Sequence, residues 1–180
     1  MVERDPPGRF REDGGVSGKG TPATRVLDRA SIVYRVHEYE HDPSVTNFGR
    51  EAADALGVDI ALVHKTLLVR IDRNGRPEFV VGVVPVDATL DLKAIAAAVG
   101  VKKAEMANPG DAERVTGYVL GGISPLGQRR SLTTVIDEDA QIYDTIFVSG
   151  GRRGLDLELA GVDLARLTGG IFAAIATRSE

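Results

Sequence analysis

The stretch TGYVLGGISPLGQRR concentrates residues suited to backbone chemistry: Gly121-Gly122 and Pro125 interrupt an apolar strand, and Gly127 follows. Glycine inside a strand weakens it, so a pair there points to close approach of another backbone or of a ligand. Successive N–H groups in such a turn form an anion nest or an oxyanion hole, and a plain turn between strands is the alternative. A second glycine-rich segment, VSGGRRGLDLE, places Ser149, Gly150, Gly151 and Gly154 around Arg152-Arg153, just before Asp156. The planar arginine forks suit bidentate contact with phosphate, although basic pairs also serve as solvated surface. The segment lacks the glycine-lysine-serine/threonine ending and the following helix of a nucleotide-binding loop, so nucleotide hydrolysis is not expected.

Lys65, between His64 and Thr66 at the head of TLLV, reads either as an edge gatekeeper or as a cation aimed into a pocket. His37, Tyr39 and His41 share one face of the extended segment IVYRVHEYEHD. Too few acidic or histidine neighbours accompany them to argue a metal site, and no metal or cofactor is expected. GISPL lacks the glycine two residues after Ser124 that a nucleophile elbow needs, so a Ser-His-Asp triad has no support. The 180 residues contain no cysteine, which excludes disulfides, thiolate-bound zinc and a cysteine nucleophile together. Any thiol used in the chemistry must come from the substrate.

The elements that position these residues are legible in outline. Thr21 caps a first helix from Pro22 to Ala30, with proline at the first helical position. IVYRVHEYE reads as a strand, and Thr46 as the cap of a helix NFGREAADALG that stops at Gly57. KTLLVRID and EFVVGVVPV flank Asn74-Gly75, a strong hairpin signal because both turn positions need positive φ. Lys65 therefore sits at the start of a strand. Asp91 caps LKAIAAAVG, and another helix starts near Pro109. SLTTVID, TIFVSG and LDLELA read as strands, VDLARL as a closing helix, and IFAAIA stays ambiguous. Helices and hairpin-linked strands alternate without a strict βαβ rhythm, so the expected fold is a mixed α/β single domain around a mostly antiparallel central sheet with short surrounding helices.

Residues 1 to 20 hold five glycines, two prolines and four residues of each charge, the texture of a flexible tail ahead of a domain over 21 to 180. With 43% hydrophobic and 27% charged residues the chain fits one globular domain. No apolar stretch approaches the roughly 18 residues of a membrane span, and the first residues lack a secretory signal, so a cytoplasmic protein without membrane contact is expected. The net charge of -4 argues against a protein that coats nucleic acid through its overall field.

Six segments in order, TPATRVLDR, HEYEHDPSVTNFG, HKTLLV, LDLKAIAAAVGVKKAEMA, TGYVLGGISPLGQRR and SGGRRGLDLEL, resemble the YbaK family of bacterial Cys-tRNA(Pro) deacylases, relatives of the editing domain of bacterial prolyl-tRNA synthetase. The resemblance spans Thr21 to about Ala176. It implies a free-standing enzyme that hydrolyses the ester between cysteine and tRNA(Pro), acting on the acceptor end, and suggests a ternary complex with prolyl-tRNA synthetase. It places the critical lysine at Lys65, an aromatic at Tyr39, the glycine-rich turn at Gly121, Gly122, Ile123, Ser124 and Pro125, and supporting polar positions at Ser149 and Asp156. On the residues themselves, Lys65 can hold phosphate or offset charge at the ester carbonyl, the amides near Gly122 and Ile123 can receive the oxyanion, and Asp156 can pair with the substrate ammonium. With no evident protein nucleophile or general base, attack by the substrate's own thiol is attractive, because an intramolecular group has a high effective molarity. Clearance of Ala-tRNA(Pro) by activated water, or binding of acylated tRNA without catalysis, are the alternatives.

Overall fold

The computed structural model describes residues 20–178. The expected tail, apart from Gly20, lies outside the described residues. Thr21 caps α1 (Pro22–Arg29), its Oγ1 accepting from the Thr24 amide at 3.2 Å. After β1 (Arg35–Glu38), α2 (Phe48–Leu56) is capped by Asn47 rather than by Thr46, because the Asn47 side-chain oxygen reaches the Arg50 amide at 3.2 Å. Gly57 ends that helix in the left-handed region.

The strands β2 (His64–Arg73) and β3 (Arg76–Pro85) form the hairpin that Asn74-Gly75 announces, with φ of 56° and 80° at the two turn residues. The chain continues through β4 (Thr89–Leu90), α3 (Leu92–Ala98, capped by Asp91), β5 (Ala104–Met106) and α4 (Pro109–Thr116, capped by Asn108). It then runs through β6 (Thr133–Asp137), β7 (Ile146–Arg152), β8 (Leu155–Leu159), α5 (Gly161–Thr168), β9 (Ile171–Ala173) and β10 (Ala176–Thr177). The ambiguous IFAAIA segment is therefore extended.

The main sheet has the order β5-β2-β3-β6-β9, and a second, antiparallel sheet has the order β1-β8-β7. The mixed α/β fold and the predominance of antiparallel pairing match the expectation, with one qualification from the connections. The β3–β6 and β6–β9 pairs are parallel. The chain returns between β3 and β6 through α3 and α4, and between β6 and β9 through α5, the helical crossovers that parallel neighbours require.

The two sheets share a core in which Leu68, Val81 and Val83 meet Val148, Leu157 and Leu159. On the other face of the main sheet, Val69, Val80 and Val84 pack with Ile95 of α3. A smaller cluster joins Ala52, Ala53 and Leu56 of α2 to Val63 and Phe147. Among the described residues no helix is long and apolar enough to cross a membrane.

The expected strand around YVLGG does not form. Gly117 ends α4 with φ of 80°, and the segment beyond it satisfies its polar groups locally: the Leu120 amide donates to Glu113 Oε1 at 3.0 Å and the Arg129 amide to the Thr116 carbonyl at 2.9 Å. Tyr118 bridges the loop by donating its hydroxyl to the Leu126 carbonyl at 2.7 Å. A rigid loop with its own core side chains replaces a strand.

Candidate functional site

The β5 strand pairs with β2 only at Val69, Arg70 and Ile71, so one flank of β2 from His64 to Leu67 carries no β5 partner. A cavity of about 580 Å³ lies there, walled by this half of β2, the start of α2, the 120–123 loop and the β1–β8–β7 sheet. Tyr39, Lys65, Gly121, Ile123, Ser149 and Asp156, all proposed from sequence, line it together. They come from five separate segments.

Asp156 is 6% exposed and has no hydrogen-bond or ion-pair partner among the described residues. Burial pushes its carboxyl up to about 7. Burial, followed by the charges of Asp156 and Glu51, also raises Tyr39. Ser149 stands opposite Asp156 across β7 and β8, and its Oγ accepts from the Gly151 amide at 3.3 Å.

Lys65 is half-buried, and its Nζ donates to the Ala88 carbonyl at 2.6 Å and to the Val86 carbonyl at 3.5 Å. Burial lowers its pKa, and the charge of Asp87 opposes that shift. The gatekeeper alternative does not describe such a lysine, since an edge gatekeeper keeps its head in water. Lys65 also ties the turn after β3, a structural contribution that its place at the head of a strand did not reveal.

The 121–125 turn divides into parts that reach the cavity and parts that build the turn. Gly121 has φ of 80°, and a Cβ there would meet the Phe48 ring at 2.8 Å. Gly122 lies against the β7–β8 turn, where a Cβ would stand 2.9 Å from Arg152 Cα. Close approach of another backbone is thus the reason for this glycine. The Gly122 amide donates to the Val119 carbonyl at 2.9 Å, so it is already engaged, whereas the amides of Gly121 and Ile123 have no protein acceptor among the described residues. Ser124 is fully buried; its Oγ accepts from the Leu126 amide at 3.2 Å and its carbonyl from Gln128 Nε2 at 2.9 Å. Gly122, Ser124 and Pro125 do not line the cavity.

Neither arginine of the pair lines it either. Arg152 is paired with Glu38 at 2.9 Å. Arg153 donates Nε to the Leu120 carbonyl at 2.9 Å and lies 4.9 Å over the Phe48 ring, at the edge of the cavity wall. His37 and His41 are each held 2.8 Å from a carboxylate, Glu158 and Glu51 respectively.

Sequence reasoning passed over Phe48, His64 and Met106 and gave Thr66 no role, yet all four line the cavity. An aromatic directly after the Asn47 cap was the one local signal for Phe48, because the first turn of a short amphipathic helix rarely needs a large ring on its rim. His64 and Thr66 flank Lys65, and nothing local distinguishes them from ordinary strand residues.

The aminoacyl-tRNA editing domain family matches residues 42–167, which include the walls of the cavity from α2 to β8. A candidate Cys-tRNA(Pro)/Cys-tRNA(Cys) deacylase, EbsC of Enterococcus faecalis, is 39% identical over 159 residues, covering 88% of this chain and 94% of its own length. The multifunctional Ser/Thr-tRNA deacylase ProXp-y of Escherichia coli is 27% identical over 104 residues, 57% of this chain and 62% of its own. The crystal structure of a candidate trans-editing enzyme for prolyl-tRNA synthetase superposes with a TM-score of 0.72 at 25% identity, covering 89% of this chain and 99% of that one. The match over residues 42–167 and the 39% identical relative that covers most of both chains make this chain a member of the aminoacyl-tRNA editing domain family.

Proposed function

We propose that the chain is a trans-editing hydrolase that deacylates Cys-tRNA(Pro), with residues 21–180 as its editing domain. Amino acids of similar size differ by only about 1–3 kcal/mol in a synthetase pocket, so a second hydrolytic site improves fidelity. The observation that carries the reading is the buried, unpartnered Asp156 in one cavity with Lys65. A buried carboxyl without a cation is a receptor for one, and the α-ammonium of an aminoacyl ester supplies it. Tyr39 and Ser149 border that carboxyl and complete the ammonium subsite.

Lys65 is the fixed cation at the other side, placed to offset negative charge on the ester carbonyl or the terminal phosphate. The amides of Gly121 and Ile123 are the donors left open for the oxyanion, while Gly122, Ser124 and Pro125 hold the turn that presents them. Arg153 at the rim is the phosphate contact of the arginine pair. Arg152 orders the hairpin through Glu38. In the thiol-assisted reaction the substrate sulfur attacks its own carbonyl, the thiol proton passes to the leaving ribose oxygen, and water then opens the resulting thiolactone to free cysteine, so the protein need only clamp the ester and stabilise charge. The reaction belongs in the cytoplasm, where aminoacyl-tRNA is made, and a ternary complex with prolyl-tRNA synthetase compensates for the acidic surface by raising local concentration.

The test is deacylation of Cys-tRNA(Pro) and Ala-tRNA(Pro) by the purified chain, with Lys65→Ala alongside. Cysteine release by the wild type and a loss of about 100-fold or more in Lys65→Ala, with the fold intact by circular dichroism, is the expected outcome. Release of alanine alone moves the chain to an alanine-clearing specificity, and release of neither leaves a binder of acylated tRNA.

A further inference from the structure

A lysine does not place its own charge, because the ammonium rides on a flexible four-carbon stem. At Lys65 the head is fixed from outside β2, by the turn that follows β3. Its Nζ donates to the Ala88 carbonyl at 2.6 Å and to the Val86 carbonyl at 3.5 Å. An ammonium has three N–H donors, so these contacts leave one for the cavity that Lys65 lines. Where that last donor points depends on where residues 86–88 lie. β3 ends at Pro85 and β4 begins at Thr89, so neither strand ladder holds them. The near end of the turn is anchored by the Val86 amide, which donates to the Val63 carbonyl at 2.8 Å.

The far end is anchored by the end of the described chain. β10 pairs with β4, Ala176 opposite Leu90 and Thr177 opposite Thr89, and the Asp91 amide donates to the Ile175 carbonyl at 2.7 Å. This segment is in turn fastened to β6. The Asp137 carboxylate, in a residue 3% exposed, accepts from the Ile175 and Ala176 amides at 2.9 Å and 2.8 Å. Arg178 then spans two carboxylates with one guanidinium: Nε lies 3.4 Å from Asp87 Oδ2, and Nη1 lies 2.8 Å from Asp139 Oδ2. Asp87 stands between the two residues whose carbonyls hold Lys65. Asp139 belongs to the short 3-10 turn directly after β6. The planar fork thus ties the middle of the Lys65 turn to the frame of the main sheet. Asp87 is also the charge that favours the ammonium form of Lys65, so the fork bears on the field at Nζ as well as on its position. The family match ends at residue 167, and Asp87, Asp139 and Arg178 line no part of the cavity.

Resting on the reading of Lys65 as the clamp of an aminoacyl ester, we infer that Arg178 is a positioning residue for deacylation: through Asp87 and the 86–88 turn it fixes where the Lys65 ammonium points. The rival role is that of an ordinary surface ion pair. Such pairs contribute little to stability, and the Arg178 side chain is 45% exposed, so its loss should leave the chain folded. Catalysis is less tolerant. A displacement of about 1 Å in a charge that meets the developing oxyanion costs far more in rate than the ion pair is worth in folding.

Two readouts on the full chain test this. In protein carrying carbon-13 at the lysine Cε, the Lys65 signal is assigned by its absence from Lys65→Ala. Arg178→Ala is expected to shift that signal and Arg178→Lys to shift it less. Arg166→Ala, which breaks a surface pair with Asp163 at 3.4 Å, is expected to leave it in place. In single-turnover deacylation of Cys-tRNA(Pro), Arg178→Ala should lose about tenfold in the rate at saturation, with the half-saturating concentration within about twofold of wild type. Arg178→Lys should recover most of that rate. In the Lys65→Ala background Arg178→Ala should cost nothing further, whereas a general weakening of the fold costs as much in either background. An unmoved Lys65 signal, an unchanged rate, or a loss repeated in full without Lys65 overturns the inference while the ester-site reading stands. A wild type that releases neither cysteine nor alanine removes the ester-site reading instead, and the Lys65 signal still decides whether Arg178 places the lysine. Should Arg178→Ala lose its circular dichroism, Asp139→Asn, which removes one of the two carboxylates under the fork, gives the same readings: a smaller shift and loss support the inference, and neither overturns it.

Discussion

Asp156 and Glu158 stand two residues apart on β8, with side chains on the same face of the strand, yet they have opposite fates. Burial works against the charge of Glu158 as well, but the Thr145 hydroxyl at 2.7 Å, His37 at 2.8 Å and Arg35 at 3.5 Å outweigh it and hold the carboxyl below its ordinary range. Asp156 has the burial and, among the described residues, none of the partners, and its carboxyl is pushed up to about 7. One carboxylate is spent on joining β1, β8 and the segment before β7. The other, on the proposed function, is the partner of the substrate ammonium. A buried acid that the described residues do not satisfy is what makes Asp156 a candidate for the site, and Glu158 a part of the scaffold.

The largest expected effect breaks this comparison directly. Asp156→Asn should lower Cys-tRNA(Pro) deacylation by roughly 100-fold, the scale of losing one partner of a desolvated charge pair, and should raise the melting temperature at pH 8. An Asn variant with full activity would show that Asp156 is only another buried acid. The stability part has a definite sign. The folded carboxyl keeps its proton from the ordinary value of 3.8 up to about 7 while the unfolded one releases it, so stability falls as pH rises across that window. Chemical denaturation of wild type and Asp156→Asn at pH 4 and pH 8 should show this slope removed in the variant.

Next in size is Gly121→Ala, which places a Cβ at positive φ and against the Phe48 ring. We expect about a tenfold loss of deacylation and a stability loss of about 1–2 kcal/mol, measured by single-turnover kinetics and urea unfolding. Activity unchanged by this substitution would detach the loop from the Asp156 end of the cavity. Glu158→Gln sharpens the comparison from the scaffold side. It should cost about 1–3 kcal/mol in unfolding free energy and leave deacylation within about threefold of the wild type.

The smallest effect is at the rim. Arg153→Ala should weaken apparent tRNA affinity by a few-fold and make the salt dependence of binding shallower, whereas Arg152→Ala, whose partner is Glu38, should leave that slope unchanged. The kinetic counterpart of the Asp156 argument is pH dependence. In the wild type kcat/KM should rise as pH increases through about 7, where Asp156 ionises to meet the ammonium, and this limb should be absent in Asp156→Asn.

The caps, the Asn74-Gly75 hairpin and most helices were legible because each depends on contacts within a few residues of chain. Thr46 failed as a cap against Asn47 by one position, since either side chain could satisfy the rule and only the backbone conformation chooses. The strand expected at YVLGG failed for a different reason. Its apolar residues serve a loop that packs on α2 and the β7–β8 turn, and such packing leaves no period in the sequence.

For the site, the sequence by itself determined the residue types: a lysine at the head of β2, an acid in LDLEL, two glycine-rich words and no cysteine at all. Taken singly those types fit a gatekeeper lysine and an ordinary turn, and it was the resemblance of the ordered segments to the YbaK family that pointed to a clamp for an ester rather than to an attacking group. The tertiary structure alone decided which of these residues meet and which are free. His37 and Glu158 are 121 residues apart in the chain, and Arg152 and Glu38 are 114 apart. No local pattern encodes such pairings, because they depend on the register of strands brought together by long connections. That register satisfied Glu158, Arg152 and Gly122 from within the protein. Among the described residues it left the Asp156 carboxyl and the Ile123 amide without protein partners, both in residues that line the same cavity.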